Sequence, residues 1–147
     1  MDYNALLGEL RQSPHITKAS FAKDERLRQQ GIYILWLEAQ TPICLKTGIA
    51  GERSGKGLYA RLRDHYASRV EKSVLARHLA SDTTSPWAQQ YDFREQQHRQ
   101  AFLAEKCYFQ AIPVPNITRQ KLEDFETFVE NAMRPRYAKR VGTHFYA

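Results

Sequence analysis

Residues 31–50 read GIYILWLEAQTPICLKTGIA, which is two apolar segments separated by a short polar one. Residues 32–37 contain only β-branched, aromatic and leucine side chains, a composition typical of a strand that is buried on both faces. Residues 43–49 form a second apolar segment, and residues 38–42 have the composition of a turn. We therefore predict an antiparallel hairpin.

The alternation of side chains along these two strands assigns their faces. Tyr33 and Trp36 fall on opposite faces of the first strand. In the second strand, Lys46 falls on one face together with Cys44 and Gly48. A tyrosine and a lysine on paired strands could then meet at one edge of the sheet.

The rest of the chain predicts helices around this hairpin, and one further strand. The predicted elements are a helix over 3–30 broken at 13–14 and resumed from 20 to 30, a glycine-rich loop over 51–57, an amphipathic helix over 58–69, a helical stretch over 70–104 with a loop at 81–86, a strand over 107–114, and a last helix that begins after the N-cap residue 118 and ends near Pro135. The fold class is therefore α+β: a small three-stranded antiparallel sheet flanked by helices, with an N-terminal helical extension and a helical insertion.

Basic residues are concentrated in two parts of the chain. Lys and Arg number 22 against 16 Asp and Glu, a formal net charge of +6. Residues 46–77 hold eight basic and three acidic side chains, and residues 134–147 hold four basic and no acidic ones. This distribution favours a polyanionic partner such as nucleic acid. Residues 118–133 instead contain more acidic than basic side chains. This acidic segment is typical of either a divalent-cation site or the solvated face of an amphipathic helix.

The remaining composition narrows the class of protein. A chain of 147 residues is the length of one domain. Two cysteines, Cys44 and Cys107, are too few for a disulfide framework or a zinc quartet, and we expect both to be reduced. The longest apolar run is far shorter than a membrane span, and the first ten residues lack the basic residue of a signal peptide. We expect a cytoplasmic protein that does not contact membranes.

Three side chains on the predicted helices could carry chemistry. Glu126 lies at the edge of the apolar stripe of the last helix, where a partly buried carboxylate needs a cation. Arg61 and His65 are four residues apart and share one helix face, where they could bind a phosphate and relay a proton. Each also has an ordinary interpretation as a surface residue, and Tyr33 as a core aromatic. The glycine-rich loop does not have the spacing of a phosphate-binding P-loop.

Taken together, these segments resemble the GIY-YIG nuclease domain. The resemblance covers about residues 31–66 and 105–140 of a single domain, with residues 67–104 as a helical insertion. The matching positions are the triad Gly31-Ile32-Tyr33, the triad position Lys46-Thr47-Gly48, Arg61 and His65 on the first core helix, and Glu126 followed by Pro135-Arg136-Tyr137. The chain is a divergent member in this comparison, because Lys46 replaces the second tyrosine, Thr47 the isoleucine, and Ala138 an asparagine.

The resemblance implies a metal-dependent endonuclease that hydrolyses phosphodiester bonds in DNA. Tyr33 would be the general base, with Lys46 lowering its pKa from about 10. Arg61 would stabilise charge on the phosphoryl group, and His65 would bind the phosphate or pass on the proton. Glu126 would hold one Mg²⁺ or Mn²⁺.

Further basic residues would follow the nucleic-acid backbone without reading its sequence, namely Arg53, Lys56, Arg63, Arg136 and Lys139. The insertion over 67–104 is the candidate for substrate choice. The chain would act as a monomer that nicks or as a homodimer that cuts both strands.

Two alternatives stay open at this point. The first is a catalytically inactive nucleic-acid-binding module on the same fold. The second is a basic domain that binds a protein partner through Trp87, Tyr91 and Phe93, whose ordinary role would be packing against the core.

Overall fold

The computed structural model describes residues 1–138 of the chain, and its centre is a three-stranded antiparallel sheet. The strands are β1 (Gly31–Leu37), β2 (Ile43–Ala50) and β3 (Cys107–Pro113), in the spatial order β2-β1-β3. The predicted hairpin and third strand are confirmed. β1 is the central strand, which explains why its side chains are apolar on both faces.

Helices cover both faces of this sheet. Within residues 1–138 the α-helices are α1 (Tyr3–Gln12), α2 (Gly57–Ala67), α3 (Val74–Ser81), α4 (Gln96–Lys106) and α5 (Arg119–Met133). Short 3₁₀ turns lie at Phe21–Lys23, Glu25–Arg28, Arg53–Gly55 and Pro86–Gln89. The fold is therefore α+β, as predicted. In the described part of the chain, every helix is too short or too polar to cross a membrane.

The predicted helix from residue 20 to residue 30 is wrong, because that segment consists of two 3₁₀ turns. The Asp24 carboxylate accepts a hydrogen bond from the Arg26 backbone N–H and pairs with the Arg26 guanidinium at 2.6 Å. Such local side-chain bonds compete with helical ones.

The insertion is also less helical than predicted. α2 ends at Ala67, and Ser68 takes a left-handed conformation with φ 55°, so the chain turns sharply before α3. Arg99 of α4 holds this turn, since its buried guanidinium donates to the carbonyl oxygens of Ser68 and Phe93 at 2.7 and 2.9 Å. The interruptions fall at residues 68–73 and 82–95 rather than at 81–86 alone.

The two faces of the sheet carry separate apolar clusters. Tyr33 and Leu35 pack with α2, α3 and α4, whereas Ile32 and Ile34 pack with α1 and α5. The predicted alternation of β1 is confirmed. α5 begins after Thr118, whose hydroxyl accepts from the Lys121 N–H as the predicted N-cap.

A β-bulge in β2 removes Cys44 from the face that we predicted it to share with Lys46 and Gly48. Leu35 pairs with Lys46, but Trp36 pairs with Cys44, so Leu45 is an extra residue in β2. Lys46 therefore shares the face of Leu35, and Cys44 packs on the other face with Trp36. Cys44 and Cys107 are both free thiols in this structure.

Candidate active site

The side chain of Tyr33 lies across Gly48 of the neighbouring strand. Tyr33 and Gly48 are paired residues of β1 and β2, and a Cβ atom at Gly48 would overlap the Tyr33 hydroxyl. The bare strand at Gly48 is therefore what leaves room for the phenol. Tyr33 is only 2% exposed, yet it lines a cleft of about 330 Å³.

His65 of α2 is hydrogen-bonded through both of its ring nitrogens. Nε2 lies 2.7 Å from the Tyr33 hydroxyl oxygen, and Nδ1 lies 3.2 Å from the Ser73 hydroxyl oxygen. Burial holds the pKa of His65 well below its ordinary value of 6.5, and the charges of Lys46 and Arg61 lower this pKa further. The imidazole is therefore neutral at pH 7.

The pKa of Tyr33 is shifted in the direction opposite to the expected one. Burial raises this pKa above its ordinary value of 10, the Glu126 charge raises it further, and the Arg61 charge opposes the rise. The predicted net lowering of this pKa below 10 is not found, because withdrawal from water is the dominant effect.

Two polar atoms at the cleft are buried without a protein partner. Arg61 Nε and Thr47 Oγ1 have no hydrogen bond within the described residues, and both side chains line the cleft. Leaving a buried donor unsatisfied costs about 1–3 kcal/mol, so such groups in native proteins are usually explained by a ligand or by water. Both side chains could contact a ligand bound in the cleft.

Glu126 reaches the same cleft from the other face of the sheet. α5 packs along β2, which is an edge strand, so side chains from both faces meet beyond that edge. Glu126 is 6% exposed, and its charge acts on Tyr33. The cleft thus brings together all five predicted catalytic residues: Tyr33, Lys46, Arg61, His65 and Glu126.

The acidic groups of the cleft bear on whether a metal ion fits there. Glu126 is accompanied by Glu123, which pairs with Arg119 at 3.0 Å. Residues 1–138 contain no group of three or more His, Cys, Asp or Glu side chains that could hold a metal ion. Mg²⁺ commonly keeps several water ligands and binds one or two carboxylates together with substrate phosphates. Glu126 is the carboxylate that could hold an ion in that manner.

Of the predicted backbone-binding residues, Arg53 and Lys56 lie just before α2 and Arg63 lies within it. Lys56 and Arg63 are exposed, and Arg63 lies over the ring of Tyr59 at 5.7 Å. Arg53 is 40% exposed and pairs loosely with Asp64 at 3.5 Å. All three are accessible to a phosphate backbone.

The structure does not support a nucleic-acid contact for Arg136. Its guanidinium bonds to the buried Asp82 carboxylate and to the Thr84 hydroxyl, so its charge is already neutralised inside the protein. Arg136 is also absent from the cleft lining. Lys139 lies outside the described residues.

Sequence reasoning missed several residues around the cleft. Lys72 and Arg77, from the insertion, and Arg119 line its rim, and Ser73 lies behind His65. The N-cap pattern before α3 was a detectable signal for Ser73, but its contact with His65 was not.

The aromatic residues of the insertion pack against the core. Phe93 is 3% exposed, and Trp87 and Tyr91 pack against the same apolar cluster. This arrangement agrees with the packing interpretation of these residues. It gives no support to a docking role.

In comparisons with known proteins, no family model, no curated protein and no solved structure matches the chain.

Proposed function

We propose that this protein is a metal-dependent endonuclease of the GIY-YIG type that hydrolyses phosphodiester bonds in DNA. The observation that carries the proposal is the meeting of Tyr33 from β1, Arg61 from α2 and Glu126 from α5 in one cleft. These residues are far apart in sequence and come from both faces of the sheet. A general base, a phosphate-binding cation and a metal-binding carboxylate are the groups that this hydrolysis requires.

Arg61 has the clearest role in this mechanism. Its side chain lines the cleft, where the guanidinium can bond an oxygen of the scissile phosphate. A guanidinium held there neutralises the charge that builds up on the phosphoryl oxygens. Lys46, on the same face of the sheet, adds positive charge to the cleft.

Tyr33 would act as the general base once its hydroxyl has lost its proton to solvent through the cleft. The phenolate takes a proton from the attacking water, the water oxygen bonds to phosphorus, and the bond from phosphorus to the 3′ oxygen breaks. The 3′ oxygen then takes up a proton from solvent. A divalent ion held by Glu126 would supply stabilisation of that leaving oxygen.

The first test is cleavage of supercoiled plasmid in the presence of Mg²⁺ or Mn²⁺. We expect the wild type to nick the plasmid, Arg61→Ala to lower the rate by about 10²–10³-fold, and Glu126→Gln to lower it at least as far. Glu130→Gln is the matched control, because Glu130 lies on the same helix but does not line the cleft.

Two outcomes of this test would overturn the proposal. A wild type that is inert with either metal on duplex, single-stranded and branched DNA would exclude the activity. If instead Arg61→Ala and Glu126→Gln cut as fast as the wild type, the assignment of the site would be wrong.

A second candidate function is a nucleic-acid-binding module without catalysis. It is favoured by the raised pKa of Tyr33, since a phenol that holds its proton is a weak base. This alternative predicts steeply salt-dependent binding with no requirement for a metal. It is supported if Tyr33→Phe binds DNA as the wild type does and neither protein cuts.

A further inference from the structure

We propose that Ser73 is a positioning residue that fixes the tautomer of His65. Its hydroxyl donates to Nδ1, which leaves the ring proton on Nε2, and Nε2 then donates to the oxygen of Tyr33. His65 would therefore stabilise the phenolate form of Tyr33 rather than accept its proton. The consequence for catalysis rests on the proposed function, but the tautomer itself does not.

These three side chains are almost entirely buried. Tyr33, His65 and Ser73 are each 2% exposed. The imidazole lies between the two hydroxyl groups, at 2.7 Å from one and 3.2 Å from the other. A neutral imidazole carries one proton, so it must donate to one hydroxyl and accept from the other.

The distances alone allow the hydrogen bonds between Tyr33, His65 and Ser73 to be donated in either direction. In one direction Tyr33 donates to Nε2 and Nδ1 donates to Ser73. In the other, Ser73 donates to Nδ1 and Nε2 donates to Tyr33. Each direction leaves one hydroxyl proton to be satisfied elsewhere, and the surroundings of the two hydroxyl groups decide between them.

Ser73 has no second place for its proton. Its oxygen already accepts the Ala76 backbone N–H at 3.1 Å, as the N-cap of α3. Within residues 1–138, its hydroxyl has no other acceptor than His65 Nδ1, and Ser73 does not line the cleft. A serine that did not donate here would bury an unsatisfied proton, at a cost of about 1–3 kcal/mol.

Tyr33 does have a second place for its proton. It lines the cleft, where water or a substrate phosphate can accept from the phenol. The hydrogen-bond arrangement in which Ser73 donates therefore gives every one of these protons an acceptor, and the reverse arrangement does not. The Nε2–H group then points at the Tyr33 oxygen, as a donor that strengthens when that oxygen becomes negative.

The decisive measurement is the ¹⁵N NMR spectrum of histidine-labelled protein at pH 7, with the His65 signals assigned by their loss in His65→Gln. The unprotonated ring nitrogen resonates well downfield of the protonated one. We expect the wild type to have Nδ1 unprotonated and Nε2 protonated. Ser73→Thr retains the hydroxyl and should give the same pattern.

Ser73→Asp separates positioning from helix capping. An aspartate caps a helix as well as serine does, but it can only accept, so Nδ1 should become protonated. Thr118→Ala is the matched control, because it removes the N-cap of α5 without touching His65. Its His65 signals should be those of the wild type.

The same variants then report on catalysis. We expect Ser73→Asp to lower the plasmid-nicking rate by roughly tenfold to a hundredfold, because the hydrogen bond that orients His65 is lost. Ser73→Thr should keep the wild-type rate. A wild type with the proton on Nδ1, or an unchanged tautomer in Ser73→Asp, overturns the proposal whatever the activity. The expected tautomers in a protein that cuts no DNA would uphold the role of Ser73 and refute the proposed nuclease.

Discussion

Asp82 and Arg61 each belong to a buried polar cluster, but the two clusters are completed in different ways. The Asp82 carboxylate accepts hydrogen bonds from the Tyr137 hydroxyl at 2.6 Å, from the Arg136 guanidinium at 3.1 Å and from the Thr84 N–H at 3.0 Å. All of these partners come from the chain itself. In the cleft, Arg61 Nε and Thr47 Oγ1 have no partner within residues 1–138.

The difference separates a cluster that holds the fold together from one that is arranged for a ligand. A satisfied buried network contributes to stability, whereas unsatisfied donors reduce it and are retained where something else binds. The Asp82 cluster ties the segment after α5 to the end of α3. The same segment is held by bonds from the Arg136 and Tyr137 N–H groups to β2.

The largest expected effect is on stability at the Asp82 cluster. Asp82→Ala removes the buried carboxylate that accepts from the Arg136 guanidinium and from the Tyr137 hydroxyl, so we expect the free energy of unfolding to fall by about 3–5 kcal/mol. Urea denaturation measures this change. Asp92→Ala is the matched control, because Asp92 also pairs with an arginine, but on the surface, and its loss should have no measurable effect. Equal losses in the two variants would contradict the contrast between the clusters.

The next effect tests the close packing of Tyr33 over Gly48. Gly48→Ala would place a Cβ atom against the phenol, so we expect a loss of about 1–3 kcal/mol in unfolding free energy and a displaced Tyr33. In Gly8→Ala the new methyl group in α1 meets nothing within 4 Å, and this control should stabilise the protein by up to about 1 kcal/mol. A neutral result at Gly48 would mean that Tyr33 does not lie across β2 as described.

The two clusters also differ in the pH range where they affect stability. The pKa of His65 lies well below 6.5, so below pH 6.5 the unfolded chain binds a proton that the folded chain does not, and stability falls as the pH falls. Burial alone would raise the pKa of Asp82, but its hydrogen bonds with Arg136 and Tyr137 outweigh burial and bring the pKa to about 2. Its stabilisation is therefore present above about pH 3.8 and is lost as the pH falls towards 2.

Urea denaturation at several pH values separates these contributions. We expect His65→Gln to remove a slope that approaches about 1.4 kcal/mol per pH unit once the pH is about one unit below 6.5. Asp82→Asn should leave that slope in place and flatten the dependence below pH 3.8. A His65→Gln variant with the wild-type slope would show that the imidazole is not held neutral.

The sequence predicts the hairpin well and the cleft only in part. An apolar run such as residues 32–37 has one stable placement, at the centre of a sheet, so β1 and the face of Tyr33 follow from local pattern. The bulge at Leu45 does not follow from the local pattern, because it depends on how β2 pairs with β1. The distance from Glu126 to Tyr33 also depends on how α5 lies along β2, which no spacing along the chain encodes.

The errors have a common physical origin in single side-chain contacts. The hydrogen bonds of Asp24 replace a predicted helix with 3₁₀ turns. The bond between Arg136 and Asp82 joins residues 54 positions apart, which the sequence did not predict. Ser73 escaped notice because the left-handed turn at Ser68 is what brings it back to His65. Contacts between residues distant in the chain, or created by one unusual turn, are invisible to hydrophobic periodicity.

The smallest expected effect, that of Arg61→Ala on stability, tests the contrast between the two clusters most directly. Arg61 Nε forms no hydrogen bond within residues 1–138, so Arg61→Ala should change the free energy of unfolding by less than about 1 kcal/mol. Arg136→Ala, in the satisfied cluster, should cost about 3 kcal/mol or more because the buried Asp82 carboxylate loses its ion pair. Measured side by side in urea, the two variants should differ by at least about 2 kcal/mol. If Arg61→Ala were as destabilising as Arg136→Ala, Arg61 would be part of the protein's structural framework. The main evidence that the cleft binds a ligand would then be lost.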